Sequence, residues 1–188
     1  KGYDAVLVGG SGRYGIQDDA PWLPPFIDVL GGLAAADFPT FASCFGYQGL
    51  VMALGGNVES VPDASEVGTF ALAPTAAAID DPVFGALPAV FQAQMGHKDS
   101  TTVFPAGAVH LASSTRCSYQ ALRVGQRVYA TQFHPELSMD DNRLRYQRYY
   151  VEYKEAFGAG QAEAILDSFL PSVASSRLLF DFKRAILG

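Results

Sequence analysis

The chain has 188 residues, 49% of them hydrophobic and 17% charged, enough to bury one sizeable core in a single domain. A net charge of −6 argues against nucleic acid as a standing partner, and no apolar stretch approaches the roughly 20 residues of a membrane span. Two cysteines and no secretory signal fit a reducing cytoplasm rather than a disulfide-built secreted scaffold.

The chain opens on an apolar strand, Tyr3 to Val8, that runs into Gly9-Gly10-Ser11-Gly12. Apolar residues near helical spacing from Trp22 to Ala36 follow a proline-rich entry, and Phe38 to Ser43 reads as a second strand. Cys44 stands at its end, and Tyr47 to Leu54 continues as a helix stopped by Gly55-Gly56-Asn57. Val58 to Val61, Gly68 to Ala73, Ala89 to Gln94 and Val103 to Ala112 read as further strands. Ser118 to Val124 and Arg127 to Phe133 then form a hairpin about Gly125-Gln126. Ser138 with Asp141 three residues on is a capping box for a helix predicted to run through Phe157. Gly158 to Gly160 breaks that helix, and two more helical stretches divided by Pro171 finish the chain.

Two short segments carry the chemistry. Strand, Cys44, then helix is the arrangement of a nucleophile elbow, in which a helix start directs free N–H groups at the sulfur. Gly46 is expected to let the backbone turn tightly there. Gln132-Phe133-His134-Pro135-Glu136 supplies a base for the thiol and a carboxylate for the base. In an extended segment His134 and Glu136 point to one side, with Pro135 stiffening the backbone between them. A thiol of ordinary pKa is only a few per cent ionised near neutrality, so it needs such a partner.

Cys-x-Gly-x-Gln followed far downstream by Gln-Phe-His-Pro-Glu resembles the class I, triad-type glutamine amidotransferases, and within them the glutaminase half of GMP synthase. The resemblance runs from about Tyr3 to Glu136 and implies a catalytic triad of Cys44, His134 and Glu136. It implies an oxyanion hole from the N–H groups of Gly10 and Phe45, with Gln48 helping to hold substrate. In similar proteins a histidine-containing loop contacts bound glutamine, which would put His97 or Asp99 of Met95-Gly96-His97-Lys98-Asp99 beside the substrate. The alternative for that segment is a hydrogen-bonded turn with Lys98 in solvent. The resemblance also implies that a first strand and helix, roughly 50 residues, precede Lys1 in the natural protein. The expected fold is α/β, a three-layer sandwich around a mainly parallel, flavodoxin-like sheet with an antiparallel extension and a helical C-terminal section.

Each segment also has a plainer reading. A lone cysteine in an apolar stretch is ordinarily inert core filling, as expected for Cys117, which has no elbow or base beside it. His110, inside a strand, reads as a satisfied core residue. Gly10-Ser11-Gly12-Arg13-Tyr14-Gly15 is a literal GxGxxG, but Asp18-Asp19-Ala20-Pro21 follows where a phosphate-binding helix would have to open. Three scattered histidines and no close cysteine pair give no metal-ligand spacing, so neither metal nor cofactor is expected. The expected activity is release of ammonia from glutamine through a Cys44 thioester, with a separate synthetase subunit as the partner such an amidotransferase would need. Hydrolysis of another γ-glutamyl amide or peptide by the same triad is the alternative, and a silent binding module is a third.

Overall fold

Thr40, Phe41, Ala42 and Ser43 are all buried, so the strand they form has to be covered on both faces. In the computed structural model, which describes residues 2–188, that strand is β2 (Thr40–Ser43), flanked by β1 (Val6–Val8) and joined to it through α1 (Leu23–Ala35). Cys44 separates β2 from α2 (Phe45–Ala53). The chain continues through β3 (Asn57–Ser60), β4 (Glu66–Pro74), β5 (Phe91–His97), β6 (Asp99–Val103), β7 (Val109–Ser114), β8 (Ala121–Val124) and β9 (Val128–Thr131). Helices complete it: α3 (Met139–Arg148), α4 (Tyr150–Phe157), α5 (Ala159–Asp167), α6 (Val173–Ser176) and α7 (Leu178–Phe182). Among the described residues no helix is long and apolar enough to cross a membrane.

Seven strands form one sheet in the order β1-β2-β9-β8-β7-β4-β5, while β3 and β6 pair in a separate antiparallel ribbon. Side chains alternate between the faces, as the pleat requires. Ala42, Leu122, Val128 and Ala130 join Leu23, Leu30, Phe45 and Leu50 of α1 and α2 in the core on one face. Phe41, Ala121, Tyr129 and Phe133 meet Val83, Phe84, Leu178 and Phe182 on the other. The three-layer α/β architecture with a helical C-terminal section therefore holds. A smaller third core packs Tyr146, Tyr153 and Phe169 of that section against Val67 of β4.

The balance of strand directions differs from the expectation of a mainly parallel sheet. Only β1–β2 and β2–β9 are parallel, and the pairs β9–β8, β8–β7, β7–β4 and β4–β5 are antiparallel. Parallel pairing needs a crossover of a dozen or so residues, which α1 and its flanks supply between β1 and β2, whereas β8 and β9 are separated by a tight turn. Gly125 makes that turn at φ 57°, where the hairpin was expected. The single strand expected over residues 103–112 is instead the end of β6, a turn, and β7. Pro105 lacks a ladder donor, and Gly107 sits at φ 80°, so the run cannot stay extended. The helix expected through Phe157 breaks at Tyr149 (φ −107°, ψ 22°), and Tyr146 and Tyr153 stack across the break at 4.6 Å. Ser138 accepts from the N–H of Asp141 and completes the capping box at the start of α3.

Candidate active site

The turn at Cys44 is where the chain departs furthest from ordinary backbone geometry. Cys44 has φ 51° and ψ −102°, left-handed territory that a side chain with a Cβ rarely adopts. Its N–H donates to the Thr131 carbonyl at 2.8 Å, which anchors the elbow to β9. Gly46, expected to make the turn, serves a different purpose. A Cβ there would stand 2.8 Å from Val8 Cγ1 and 2.9 Å from the Val8 carbonyl oxygen, so glycine lets α2 press against β1 while Cys44 itself carries the strain. Phe45 is the first residue of α2, and its N–H has no carbonyl one turn back inside the helix. Gly10 closes the other side: a Cβ there would lie 2.6 Å from His134 Cε1 and 3.3 Å from Cys44 Cβ. The Gly10 backbone, the sulfur-bearing residue and the imidazole thus border one point.

His134 is held from behind. Its N–H donates to the Gln94 carbonyl at 2.9 Å, and Nδ1 lies 2.7 Å from Glu136 Oε1. With Nδ1 donating to the carboxylate, Nε2 is left for the sulfur side. The segment was expected to be extended, but His134 to Leu137 forms a turn, closed by the Leu137 N–H on the His134 carbonyl at 3.3 Å. Pro135 presets the second position of that turn, which folds Glu136 back onto the ring. Burial pushes His134 toward the neutral form, but the Cys44 sulfur and the Glu136 carboxylate outweigh it and raise its pKa to about 9. Burial likewise pushes Glu136 up, yet its bonds to His134 and the Ser43 hydroxyl leave it below the usual carboxylate value. Ser43 Oγ donates to Glu136 Oε1 at 3.0 Å.

A cavity of about 570 Å³ opens over Cys44 and is also lined by Gln48, His97, Asp99, Arg145 and Tyr153. Gln48 Nε2 donates to the Asp99 carbonyl at 3.1 Å and to Gln132 Oε1 at 3.2 Å, fixing its amide at the cavity floor. His97 and Asp99 are not equivalent. His97 is 2% exposed, with Nε2 3.2 Å from Glu66 Oε2 and Nδ1 3.0 Å from the Asp99 carbonyl, so both ring nitrogens are committed within the protein. It props the turn between β5 and β6, while the Asp99 carboxylate stands at the cavity edge near Gly15 and Lys98 is exposed.

Glu66, Ser43, Arg145 and Tyr149 belong to this neighbourhood and were not singled out as site residues in the sequence. Ser43 adjoins the nucleophile, and Arg145 belongs to a loose basic group with Arg143 and Arg148. A single glutamate at the start of β4 leaves no pattern at all. Glu66 is fully buried and accepts from Ser114 Oγ at 2.6 Å and from Gln120 Nε2, besides facing His97. Replacing Glu66 with alanine strands those partners in a dry site, and about 3 kcal/mol of stability should be lost. Urea denaturation measures this, and a loss below about 1 kcal/mol would show that the network is not tightly held.

The other candidates take plainer places. Cys117 lies buried between β7 and β8 with Sγ 3.7 Å from the Tyr119 carbonyl, and burial raises its pKa, the opposite of activation. His110 lies in β7 with Nε2 2.8 Å from the Ala112 carbonyl. After β1 no helix begins before Leu23, so the glycine run lacks the helix a dinucleotide site requires. Among the described residues no group of three or more His, Cys, Asp or Glu could hold a metal ion.

A family model described as glutamine amidotransferase class-I matches residues 1–150. The chain is similar to the glutamine-hydrolyzing GMP synthase of Thermosipho africanus, 33% identical over 135 residues that cover 71% of this chain and 24% of that protein. The corresponding Vibrio vulnificus protein is 27% identical over 149 residues, covering 79% of this chain and 27% of its own length. The chain therefore spans about a quarter of the length of these curated relatives. Among solved structures, a glutamine amidotransferase from Thermotoga maritima superposes with TM-score 0.76 at 20% identity, covering 99% of this chain and 79% of that one. A glutamine amidotransferase from Methylobacillus flagellatus gives 0.73 at 22%, covering 97% and 73%. At those identities the likeness carries the fold alone.

Proposed function

The chain belongs to the class-I glutamine amidotransferases, and from that premise we propose that it hydrolyses glutamine through a thioester on Cys44. The Cys44 thiolate attacks the γ-carboxamide carbon, forming the C–S bond. The N–H groups of Gly10 and Phe45 receive the oxyanion, each worth roughly 3 kcal/mol in comparable sites. His134 then protonates the leaving nitrogen as the C–N bond breaks, and ammonia departs. Water, deprotonated by His134, attacks the thioester and releases glutamate with the thiol regenerated. Glu136 keeps the His134 ring in the orientation both steps need, and Gln48 and Asp99 face the amino-acid end of the substrate.

The observation that carries this reading is the pairing of a strained cysteine with a histidine whose proton is held by a carboxylate at 2.7 Å, both against the same glycine backbone. A thiol in that setting needs a reducing compartment, which supports the cytoplasm as its location. The relatives are described as glutamine-hydrolyzing GMP synthases, and this chain spans about a quarter of their length. On those relatives' description, a synthetase active site is proposed as the acceptor of the ammonia.

Labelling tests the reading directly. A glutamine-mimicking diazo-ketone should modify Cys44 stoichiometrically, be blocked by excess glutamine and leave Cys117 untouched in peptide mass spectra. If a general alkylating agent reaches Cys44 while the diazo-ketone does not, the pocket is not built for glutamine.

A further inference from the structure

We propose that the cavity on the His134 side of the catalytic pair is a subsite for the leaving amine, and that it selects γ-glutamyl amides whose amine part carries a carboxylate. This rests on the thioester reading above and adds the substrate class to it. The acyl group must lie at Cys44, and the leaving nitrogen must lie where His134 can protonate it. The space over Cys44, Gln48 and Asp99 takes the glutamyl end. A second cavity, about 850 Å³, adjoins it and is lined by His134, Glu136, Leu137, Leu144, Arg145 and Arg148. Ammonia, about the size of a water molecule of some 30 Å³, has no need of such a volume.

The lining fits an anion. Among the described residues the ion pairs involve neither Arg145 nor Arg148. Arg145 Nε is buried without a hydrogen-bond partner, and one of its terminal nitrogens lies 3.4 Å from His134 Nε2. The one carboxylate on the wall, Glu136, is already engaged by His134 and Ser43. The cavity therefore carries two guanidinium groups outside any ion pair, Arg145 with one terminal nitrogen 3.5 Å from the Met95 carbonyl and Arg148 exposed at the rim, and their planar forks match a carboxylate. Two glycines make room for α3 to reach over the site. A Cβ at Gly96 would fall inside the Arg145 guanidinium, and one at Gly12 would stand 2.7 Å from the Tyr149 hydroxyl. Arg145 and Tyr149 border both cavities, so one extended γ-glutamyl compound spans the two. The chemistry balances as before: the C–S bond forms, the C–N bond breaks, the amine leaves with the His134 proton, and water returns the thiol and glutamate.

The test compares γ-glutamylglycine with γ-glutamylglycinamide, which differ only in the charge at the far end, by the rate of glutamate release. The free acid should be favoured about tenfold in kcat/KM, the effect of one charged hydrogen bond. In Arg148→Gln the ratio should fall close to one. Because the ratio is taken within one protein, losses of folding or of triad geometry cancel. A ratio near one in the unaltered chain, or a ratio that Arg148→Gln leaves intact, overturns the subsite. Turnover of glutamine with both glycine compounds inert overturns the subsite alone. Failure of glutamine and both glycine compounds to acylate Cys44 overturns the thioester reading along with it.

Discussion

In Cys44→Ala, glutamate release from glutamine should fall by at least about ten-thousand-fold in kcat/KM, because the other parts of the site cannot supply a nucleophile. Phe45 still opens α2 and Gly10 still faces His134, so the proposed oxyanion donors stay in place without an acyl-enzyme to act on. The substitution leaves β-carbon geometry at φ 51° unchanged, so the midpoint of denaturation should move little and loss of turnover cannot be assigned to unfolding. Cys117→Ala is the internal comparison. That thiol is buried with its pKa raised, and its removal should be read in stability rather than in rate. Turnover within tenfold of the unaltered chain in Cys44→Ala would exclude a thioester mechanism.

Glu136→Gln tests the second half of the machinery. The carboxylate and the Cys44 sulfur together hold the His134 pKa at about 9, against the pull of burial. On the proposed mechanism the imidazolium protonates the leaving nitrogen, so it should disappear only as pH climbs through about 9, giving the basic limb of the kcat/KM profile. Glutamine at position 136 keeps the shape but removes one of the two charges. The basic limb should move to lower pH, and turnover should fall by about a thousandfold as the ring loses its fixed tautomer. The same shift has a consequence for stability. A histidine raised above its ordinary 6.5 contributes stability fully present below about 6.5 and lost as pH rises through about 9. Denaturation midpoints of the unaltered chain should thus decline across that window, and those of Glu136→Gln should decline less. A basic limb that stays in place in the variant would show that Glu136 does not hold the proton on His134.

Much of the fold and of the site could be read from local pattern. The strand–cysteine–helix order around Cys44, the His134–Glu136 pair, the capping box at Ser138 and the turn at Gly125 each depend on residues a few positions apart, whose preferences act before any tertiary contact forms. The resemblance carried by those segments then implied how they meet. What could not be read locally is of another kind. Whether β9 lies parallel or antiparallel to β2, and β4 to β7, depends on which distant strand each one finds. The fixing of His97 by Glu66, and the reach of Arg145 from α3 across Gly96, depend on side chains far apart in the chain. The break at Tyr149 leaves Tyr146 and Tyr153 free to stack in a core shared with Phe169.

The amino-acid sequence by itself therefore determined the segments that carry the proposed nucleophile and base, Cys44 and His134, and the local elements that present them, because short-range backbone preference and side-chain chemistry are sufficient for each. Only the tertiary structure decided the direction of β9 against β2 and of β4 against β7, the buried Glu66 network behind the cavity, and the approach of Arg145 to His134. Those depend on burial and on charges brought together from separate segments, and neither exists until the chain has closed on itself.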